Sequence, residues 1–84
     1  MLKRPGRSPL NVFGEAVRAI RLERGLTQQE LADRCAFNRT FIVAVEHGRQ
    51  NCSLISLLKI AKGLNVLPAE LFASFSKSVM RSVT

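Results

Sequence analysis

The sequence predicts an all-α fold, a compact domain of five helices. Apolar residues recur at steps of three and four along most of the chain, which is the spacing of one helix face. Residues that start helices precede these apolar runs, and glycine or asparagine follows them. The chain has 84 residues, 46% of them apolar, so one folded core is expected near the lower size limit for a domain.

The first eleven residues, MLKRPGRSPLN, are predicted to form a flexible basic arm. They include prolines, a glycine and basic residues, and they show no helical period. Lys3, Arg4 and Arg7 could follow DNA phosphates, and a charged tail without a partner explains them equally well. We therefore divide the chain into an arm (1–11), a folded domain (12–76) and a C-terminal extension (77–84) that could contact a second copy.

The first helix is predicted to span residues 12–24. Phe13, Val17 and Ile20 follow one another at helical spacing and form its apolar face. Gly25 is placed to end this helix, because glycine readily takes the left-handed conformation found just after a helix C-terminus.

Two short helices joined by a tight turn are predicted between Thr27 and Gly48, and the chain is organised around them. The stretch Thr27-Gln28-Gln29-Glu30 has the form of a capping box, in which each end residue bonds the other's backbone amide. Asn38 is placed to cap the second helix. The buried sides of the two helices are predicted to hold Leu31, Ala32, Cys35, Ile42 and Val45. Such a pair of helices, the second polar at its start, is typical of a DNA-binding helix-turn-helix.

The fourth and fifth helices are predicted to start after Ser53 and at Pro68, which are favoured residues for a cap and a first turn. The apolar face of the fourth helix is predicted to hold Leu54, Leu57, Leu58, Ala61 and Leu64. Phe72, Phe75 and Val79 extend the fifth helix beyond what so small a core can cover. They are therefore predicted to form the contact of a symmetric dimer. The alternative is that this stripe folds back on its own domain.

At these residues the chain resembles the lambda-repressor-like, or XRE-type, helix-turn-helix family of bacterial and phage regulators. The resemblance covers roughly residues 13–72. It rests on the order of several short motifs: Arg21, Gly25-Leu26-Thr27-Gln28, Glu30-Leu31-Ala32, Arg39-Thr40-Phe41-Ile42, Glu46 to Gly48, and Asn51 to Leu54. A subset of small members, among them restriction–modification controller proteins, is similar around Arg39 to Ile42.

The resemblance implies a regulator of transcription that reads a double-stranded operator as a homodimer, with residues 38–47 in the major groove. It also implies a structural ion pair between Arg21 and Glu46. The residues expected to contact DNA are Gln28, Gln29, Asn38, Arg39, Thr40, Val43, Ala44, His47, Arg49, Gln50 and Asn51.

Arg39 and Thr40 are expected to carry most of the direct readout. An arginine can donate two parallel hydrogen bonds to O6 and N7 of guanine. Val43 and Ala44 can only pack against thymine methyl groups, and relatives usually carry a polar group at the Val43 position. DNA shape is therefore expected to supply the rest of the specificity. The plain alternative for Arg39 is a solvated arginine at the start of a helix.

The composition favours an anionic partner and argues against several other classes of protein. The net charge of +7 favours nucleic acid first and an anionic membrane second. No apolar run approaches the length of a membrane span, so a cytoplasmic location is expected. The two cysteines lack metal-binding spacing, so no metal is expected. No cofactor is expected either, and 84 residues leave no room for a separate ligand domain, so we expect no small-molecule ligand. One histidine, no glycine-rich phosphate loop and no paired carboxylates leave no catalytic set, so no enzymatic activity is expected.

Two other functions stay open from the sequence. An antitoxin-like module would use the C-terminal apolar stripe to bind and mask another protein. RNA binding would use the basic surface, but the chain has no Trp or Tyr on which bases could stack.

Overall fold

Six helices follow one another in the computed structural model, which describes residues 8–83, and none of these residues forms a strand. The helices are α1 (Pro9–Glu23), α2 (Gln28–Cys35), α3 (Arg39–Glu46), α4 (Leu54–Leu64), α5 (Pro68–Leu71) and α6 (Lys77–Met80). None of the helices in this range is both long enough and apolar enough to cross a bilayer. The prediction of an all-α fold is confirmed, although the structure has one helix more than predicted.

Helix α1 begins at Pro9, three residues earlier than predicted. The Ser8 hydroxyl accepts a hydrogen bond from the backbone N–H of Asn11 at 3.1 Å and caps the helix. A proline is favourable at the first helical position, because the N–H that it lacks would have no intrahelical partner there. Residues 8–11 of the predicted arm therefore belong to α1 and its cap, while Lys3, Arg4 and Arg7 lie outside the described residues.

The two helices of the motif begin at the caps that the sequence predicts. The Thr27 hydroxyl accepts from the Glu30 amide at 3.0 Å, and the Glu30 carboxylate accepts from the Thr27 amide at 2.8 Å. Asn38 accepts from the backbone N–H of Phe41 at 2.8 Å. The turn between the helices passes through Ala36 in the left-handed conformation, with φ at 60°.

The core lies between α1, α2, α3 and α4, with α5 closing one end. Its largest fully buried side chains come from every one of these helices: Val17, Leu31, Ile42, Val45, Ile60, Leu64 and Leu71. Helices α1 and α3 come closest at Gly14, where a side-chain carbon would overlap the carbonyl oxygen of Val45. Backbone contact at this point holds α3 firmly against α1.

The buried face of α4 agrees with the predicted one only at its C-terminal part, at Ala61 and Leu64. The buried residues are Ile60, Ala61, Gly63 and Leu64. Leu54 and Leu58 are 69% and 40% exposed. The helix is rotated because Gly63 lets it approach α2, where a side-chain carbon added to the glycine would come within 2.5 Å of the Cys35 sulfur. Aliphatic spacing therefore predicted Ala61 and Leu64 correctly and Leu54 and Leu58 wrongly, and it missed Gly63, which sets the closest contact.

The predicted fifth helix is divided into two short ones. Helix α5 ends at Leu71, and Ser76 starts α6 by accepting a hydrogen bond from the Val79 amide at 3.3 Å. Val79 is only 7% exposed, and α6 packs on α1. Val79 therefore folds back on its own domain, as the alternative held, whereas Phe72 stays 40% exposed.

Candidate nucleic-acid interface

Helix α3 has one buried side and one open side. Ile42, Val45 and Glu46 are buried, whereas Arg39 and Thr40 in the first turn are exposed. Val43 and Ala44 are half-buried, so their side chains offer only part of their surface to a partner. The first turn of α3 is therefore the most exposed part of the helix.

The buried side of α3 is fixed to α1 by an ion pair. The Nε and Nη2 atoms of Arg21 donate to the two carboxylate oxygens of Glu46, at 2.6 and 3.1 Å. The Nη1 atom of the same arginine donates to the carbonyl oxygen of Leu26 at 2.8 Å. The side chains of Arg21 and Glu46 are only 8% and 1% exposed. This two-point pair sets the orientation of α3, because parallel bonds between guanidinium and carboxylate constrain angle as well as distance.

Gln28 links this buried pair to the open side of α3. Its side-chain amide N–H donates to Glu46 at 3.1 Å, and its amide oxygen accepts from Nη2 of Arg39 at 3.3 Å. Gln28 therefore lies between two other polar side chains, and its contact with the DNA backbone stays a prediction. The sequence gives no signal of this bridge, because its three members lie 11 and 18 residues apart.

One open depression of about 620 Å³ lies beside Gln28. It is lined by Arg21, Thr27, Gln28, Gln29 and Arg39. The depression lies at the N-terminus of α2, where backbone N–H groups without intrahelical partners favour an anion. Three predicted DNA contacts are thus brought together on one surface.

Two further predicted contacts at these helix starts already have partners within the chain. Gln29 donates to Asp33 at 2.9 Å. Asn38 uses its side-chain oxygen to cap α3. Each retains its other amide atom for an external partner.

The remaining predicted contacts lie beyond the other end of α3, in the loop of residues 47–51. His47, Arg49 and Asn51 are exposed, whereas Gln50 is half-buried. The loop starts in a fixed geometry, because the His47 ring nitrogen Nδ1 lies 2.8 Å from the carbonyl oxygen of Val43. An eight-residue helix is about 12 Å long, so this loop and the depression lie at opposite ends of α3.

The predicted dimer residues do not form one open stripe. Phe72 packs against Phe13 and Phe75, with ring centroids 6.0 and 5.1 Å apart, and keeps 40% of its surface exposed. Phe75 is half-buried against the core. Val79 is buried by its own chain, so it has too little free surface for the predicted contact with a partner.

An aromatic cluster behind the turn was not predicted. The rings of Phe37 and Phe41 stack with centroids 4.3 Å apart, and the Lys59 ammonium lies 5.3 Å from the centre of the Phe37 ring. The four-residue spacing of the two phenylalanines is a signal that could have indicated the contact. The cluster ties the turn and the start of α3 to α4.

Both cysteine thiols are at least partly buried. Burial raises the pKa of the Cys35 thiol to about 11 and also raises the pKa of the Cys52 thiol, which disfavours the reactive thiolate in both. Among residues 8–83, no cluster of three or more His, Cys, Asp and Glu side chains could hold a metal ion.

Comparison with known proteins agrees with this geometry. The helix-turn-helix family model matches residues 17–71. Control protein C.BamHI of Bacillus amyloliquefaciens is 43% identical over 61 residues, which are 71% of this chain and 75% of that protein. The chain therefore belongs to the helix-turn-helix family, and its relatives carry the names of transcription regulators.

Solved structures of controller proteins have the same fold. The restriction–modification controller protein C.AhdI from Aeromonas hydrophila gives a TM-score of 0.74 at 40% identity, over 75% of this chain and 96% of that one. The controller protein C.Esp1396I, solved as a tetramer with its natural 35-base-pair operator, gives a TM-score of 0.73 at 34% identity. That match covers 84% of this chain and 93% of the other.

Proposed function

We propose that this protein is a transcription regulator that binds a specific double-stranded operator as a homodimer, with α3 in the major groove. The observation that carries the proposal is the exposed first turn of α3, held out from the domain by the buried pair of Arg21 and Glu46. A helix fixed on its inner side and polar at its outer start is suited to entering a groove about 12 Å wide.

Base recognition rests on Arg39 and Thr40. Arg39 carries its hydrogen-bond donors in a planar fork, which can match O6 and N7 of guanine. Gln28 holds one edge of this fork, so the arginine loses less side-chain freedom when it binds. Thr40 offers a hydroxyl and a methyl group, and Val43 and Ala44 offer only apolar contact.

Contacts to the DNA backbone come from the two ends of the motif. At one end, the depression beside Gln29 offers the amides of the α2 N-terminus to a phosphate. At the other end, Arg49 and Asn51 are exposed in the loop after α3. These groups position the protein on the duplex without reading its sequence.

The small number of base contacts that one α3 helix can make supports a homodimer. One eight-residue helix with two polar readout residues recognises only a few base pairs. Two copies related by a two-fold axis would read half-sites one helical turn apart. The operator complex of the similar C.Esp1396I is a tetramer, which agrees with assembly on DNA. Action on an operator implies a cytoplasmic location.

The proposal is tested by selecting bound duplexes from a random pool and then measuring affinity for the selected site over a range of salt concentrations. We expect a two-fold-symmetric consensus and a linear fall of log K with log salt, with a slope of about −0.9 per phosphate contact. Arg39→Ala should weaken specific binding by about 1–3 kcal/mol and relax the preference at one guanine in each half-site.

Arg18→Ala is the matched control, because Arg18 is an exposed arginine on α1, outside the motif. It removes the same charge and should leave the consensus unchanged. No enrichment of any duplex, or a shift in consensus with Arg18→Ala but not with Arg39→Ala, would contradict the proposal.

A further inference from the structure

An exposed lysine of α4 lies against the turn between α2 and α3. The ammonium nitrogen of Lys59 is 5.3 Å from the centre of the Phe37 ring, within the range of a cation–π interaction. Among residues 8–83, Lys59 forms no ion pair. Its charge is therefore held at a defined place and is not neutralised by a neighbouring carboxylate.

Both partners of this contact stand on a fixed backbone. The backbone N–H of Phe37 donates to the carbonyl oxygen of Ala32 at 2.9 Å, and the Phe37 ring stacks on Phe41 of α3. Ile60, the residue after Lys59, is fully buried, which fixes α4 at this point. The ring therefore holds a long and otherwise flexible side chain beside the turn.

The turn leads directly into the part of α3 that is proposed to enter the groove. Only Asn38 separates Phe37 from Arg39, and both Asn38 and Arg39 are exposed. The Lys59 ammonium therefore lies close to the surface that would face the duplex, although its own helix is outside the helix-turn-helix.

The same charge lies at the other end of α2 from the depression beside Gln28. Helix α2 has eight residues and is therefore about 12 Å long. The depression lies at its N-terminus, whereas Phe37 follows its C-terminal cap. The major groove is about 12 Å wide and is bordered by two phosphate backbones. The two ends of α2 thus have the spacing of the two backbones.

We propose that Lys59 binds a phosphate of the operator at the end of α2 opposite the depression, and that Phe37 positions its side chain. The inference adds a contact from α4 to those of the helix-turn-helix, and it rests on the proposed function. A lysine ammonium meets a phosphate as a point charge and reads no base. Lys59 should therefore contribute to affinity and salt dependence but not to sequence preference.

The test is the affinity of the full chain for its selected operator between about 50 and 200 mM salt, for the wild type and Lys59→Ala. Loss of one phosphate contact reduces the slope of log K against log salt by about 0.9. We therefore expect Lys59→Ala to weaken binding about 3.5-fold more at the low end of this range than at the high end. The consensus should stay unchanged.

Lys62→Ala is the matched control. Lys62 is an exposed lysine of the same helix, and it lines the groove between α4 and α5, away from the turn. Its removal takes the same charge from the protein, so an effect of net charge alone would appear equally in both variants. We expect Lys62→Ala to keep the salt slope of the wild type, and circular dichroism should show an unchanged helix content for both.

The phosphate itself is located by replacing single operator phosphates with neutral methylphosphonates. One replacement in each half-site should weaken the wild type and have no further effect on Lys59→Ala. Replacements at all other contacted phosphates should weaken both proteins.

The positioning role of Phe37 is tested with Phe37→Leu and Phe37→Tyr. Leucine keeps apolar packing but has no ring face, whereas tyrosine keeps the ring. Lys59→Ala should therefore reduce the salt slope less in the Phe37→Leu background than in the wild type, and equally in the Phe37→Tyr background. A purely structural role of Phe37 would leave the effect of Lys59→Ala the same in all three backgrounds, which would overturn its part of the inference.

Three results would overturn the contact of Lys59 with DNA. They are an unchanged salt slope in Lys59→Ala, an equal change in Lys62→Ala, and the absence of any phosphate whose replacement affects only proteins that carry Lys59. Each result leaves the proposed function intact if the wild type selects a consensus. A wild type that selects no duplex contradicts the proposed function itself, and the inference fails with it.

Discussion

The helix-turn-helix segment (residues 27–48) and the C-terminal segment (residues 54–83) differ in how fully they bury their apolar side chains. In the first, helix starts are capped, apolar side chains face inward, and the buried Glu46 has its partners. In the second, α5 and α6 are only four residues long, and Leu54, Ile55 and Leu67 remain mostly exposed. The first segment buries its apolar side chains, whereas the second leaves several large aliphatic side chains exposed.

This difference indicates which substitutions should affect the free energy of unfolding. Among residues 8–83, every buried side-chain nitrogen or oxygen has a hydrogen-bond partner. Removal of one such partner strands a buried polar group, which is costly. Substitution of an exposed aliphatic residue strands nothing. The two segments should therefore respond to mutation in different ways.

The largest effect is expected for Glu46→Ala. The variant leaves the Arg21 guanidinium buried without its counterion, so the free energy of unfolding should fall by about 3–5 kcal/mol. Ile55→Glu should change it by less than about 0.5 kcal/mol, apart from the effect of dimerisation. Urea unfolding at low protein concentration measures both values.

A double variant, Arg21→Met with Glu46→Met, distinguishes two costs. One is the cost of a buried charge without its partner, and the other is the cost of lost packing. It should be less destabilised than the sum of the single substitutions, because no charge is left without a partner. Simple additivity of the two substitutions would be evidence against the pair as a coupled unit.

A smaller effect, on DNA affinity, is expected for Gln28→Ala. The variant removes the hydrogen bond that holds Arg39 against the start of α2 and should weaken specific binding by about 1 kcal/mol. Gln29→Ala removes a neighbouring amide that bonds Asp33 and should have less effect on guanine preference. Equal relaxation of the consensus in the two variants would speak against Gln28 as the residue that orients Arg39.

The smallest effect is a gain in stability from Ala36→Gly. Ala36 has φ at 60°, where a side chain costs about 1–2 kcal/mol, and the greater chain entropy of glycine offsets part of the relief. The net gain should be about 0.5–1 kcal/mol in thermal unfolding. Asn65 has φ at 59°, but asparagine tolerates this conformation better, so Asn65→Gly should gain less. Equal gains would contradict the attribution to strain.

The sequence predicted those features that depend on a few neighbouring residues. Thr27, Asn38 and Ser53 cap helices because each is followed by a free backbone amide three residues on. Arg39 and Thr40 could be assigned to the exposed side of α3, because the nearby Ile42 and Val45 mark its buried side. The ion pair of Arg21 and Glu46 came from the family resemblance, not from spacing.

The features that the sequence missed depend on contacts between distant residues. The rotation of α4 is set by Gly63 against Cys35, 28 residues away, and no local pattern contains that contact. The bridge through Gln28 likewise forms only after α2 and α3 have packed. Val79 was assigned to an interface because the short helix that folds it back on α1 was not predicted.

The most direct test of the central claim, that Arg39 reads guanine in the major groove, is a double-substitution cycle between protein and DNA. Each guanine of the selected operator is replaced in turn by 7-deazaguanine, which lacks the N7 acceptor. Binding is measured for the wild type and for Arg39→Ala. We predict that one replacement per half-site weakens the wild type by about 1.5–3 kcal/mol and has no further effect on Arg39→Ala. If every replacement weakened both proteins equally, Arg39 would make no contact with a guanine, and the account of readout by the first turn of α3 would be wrong.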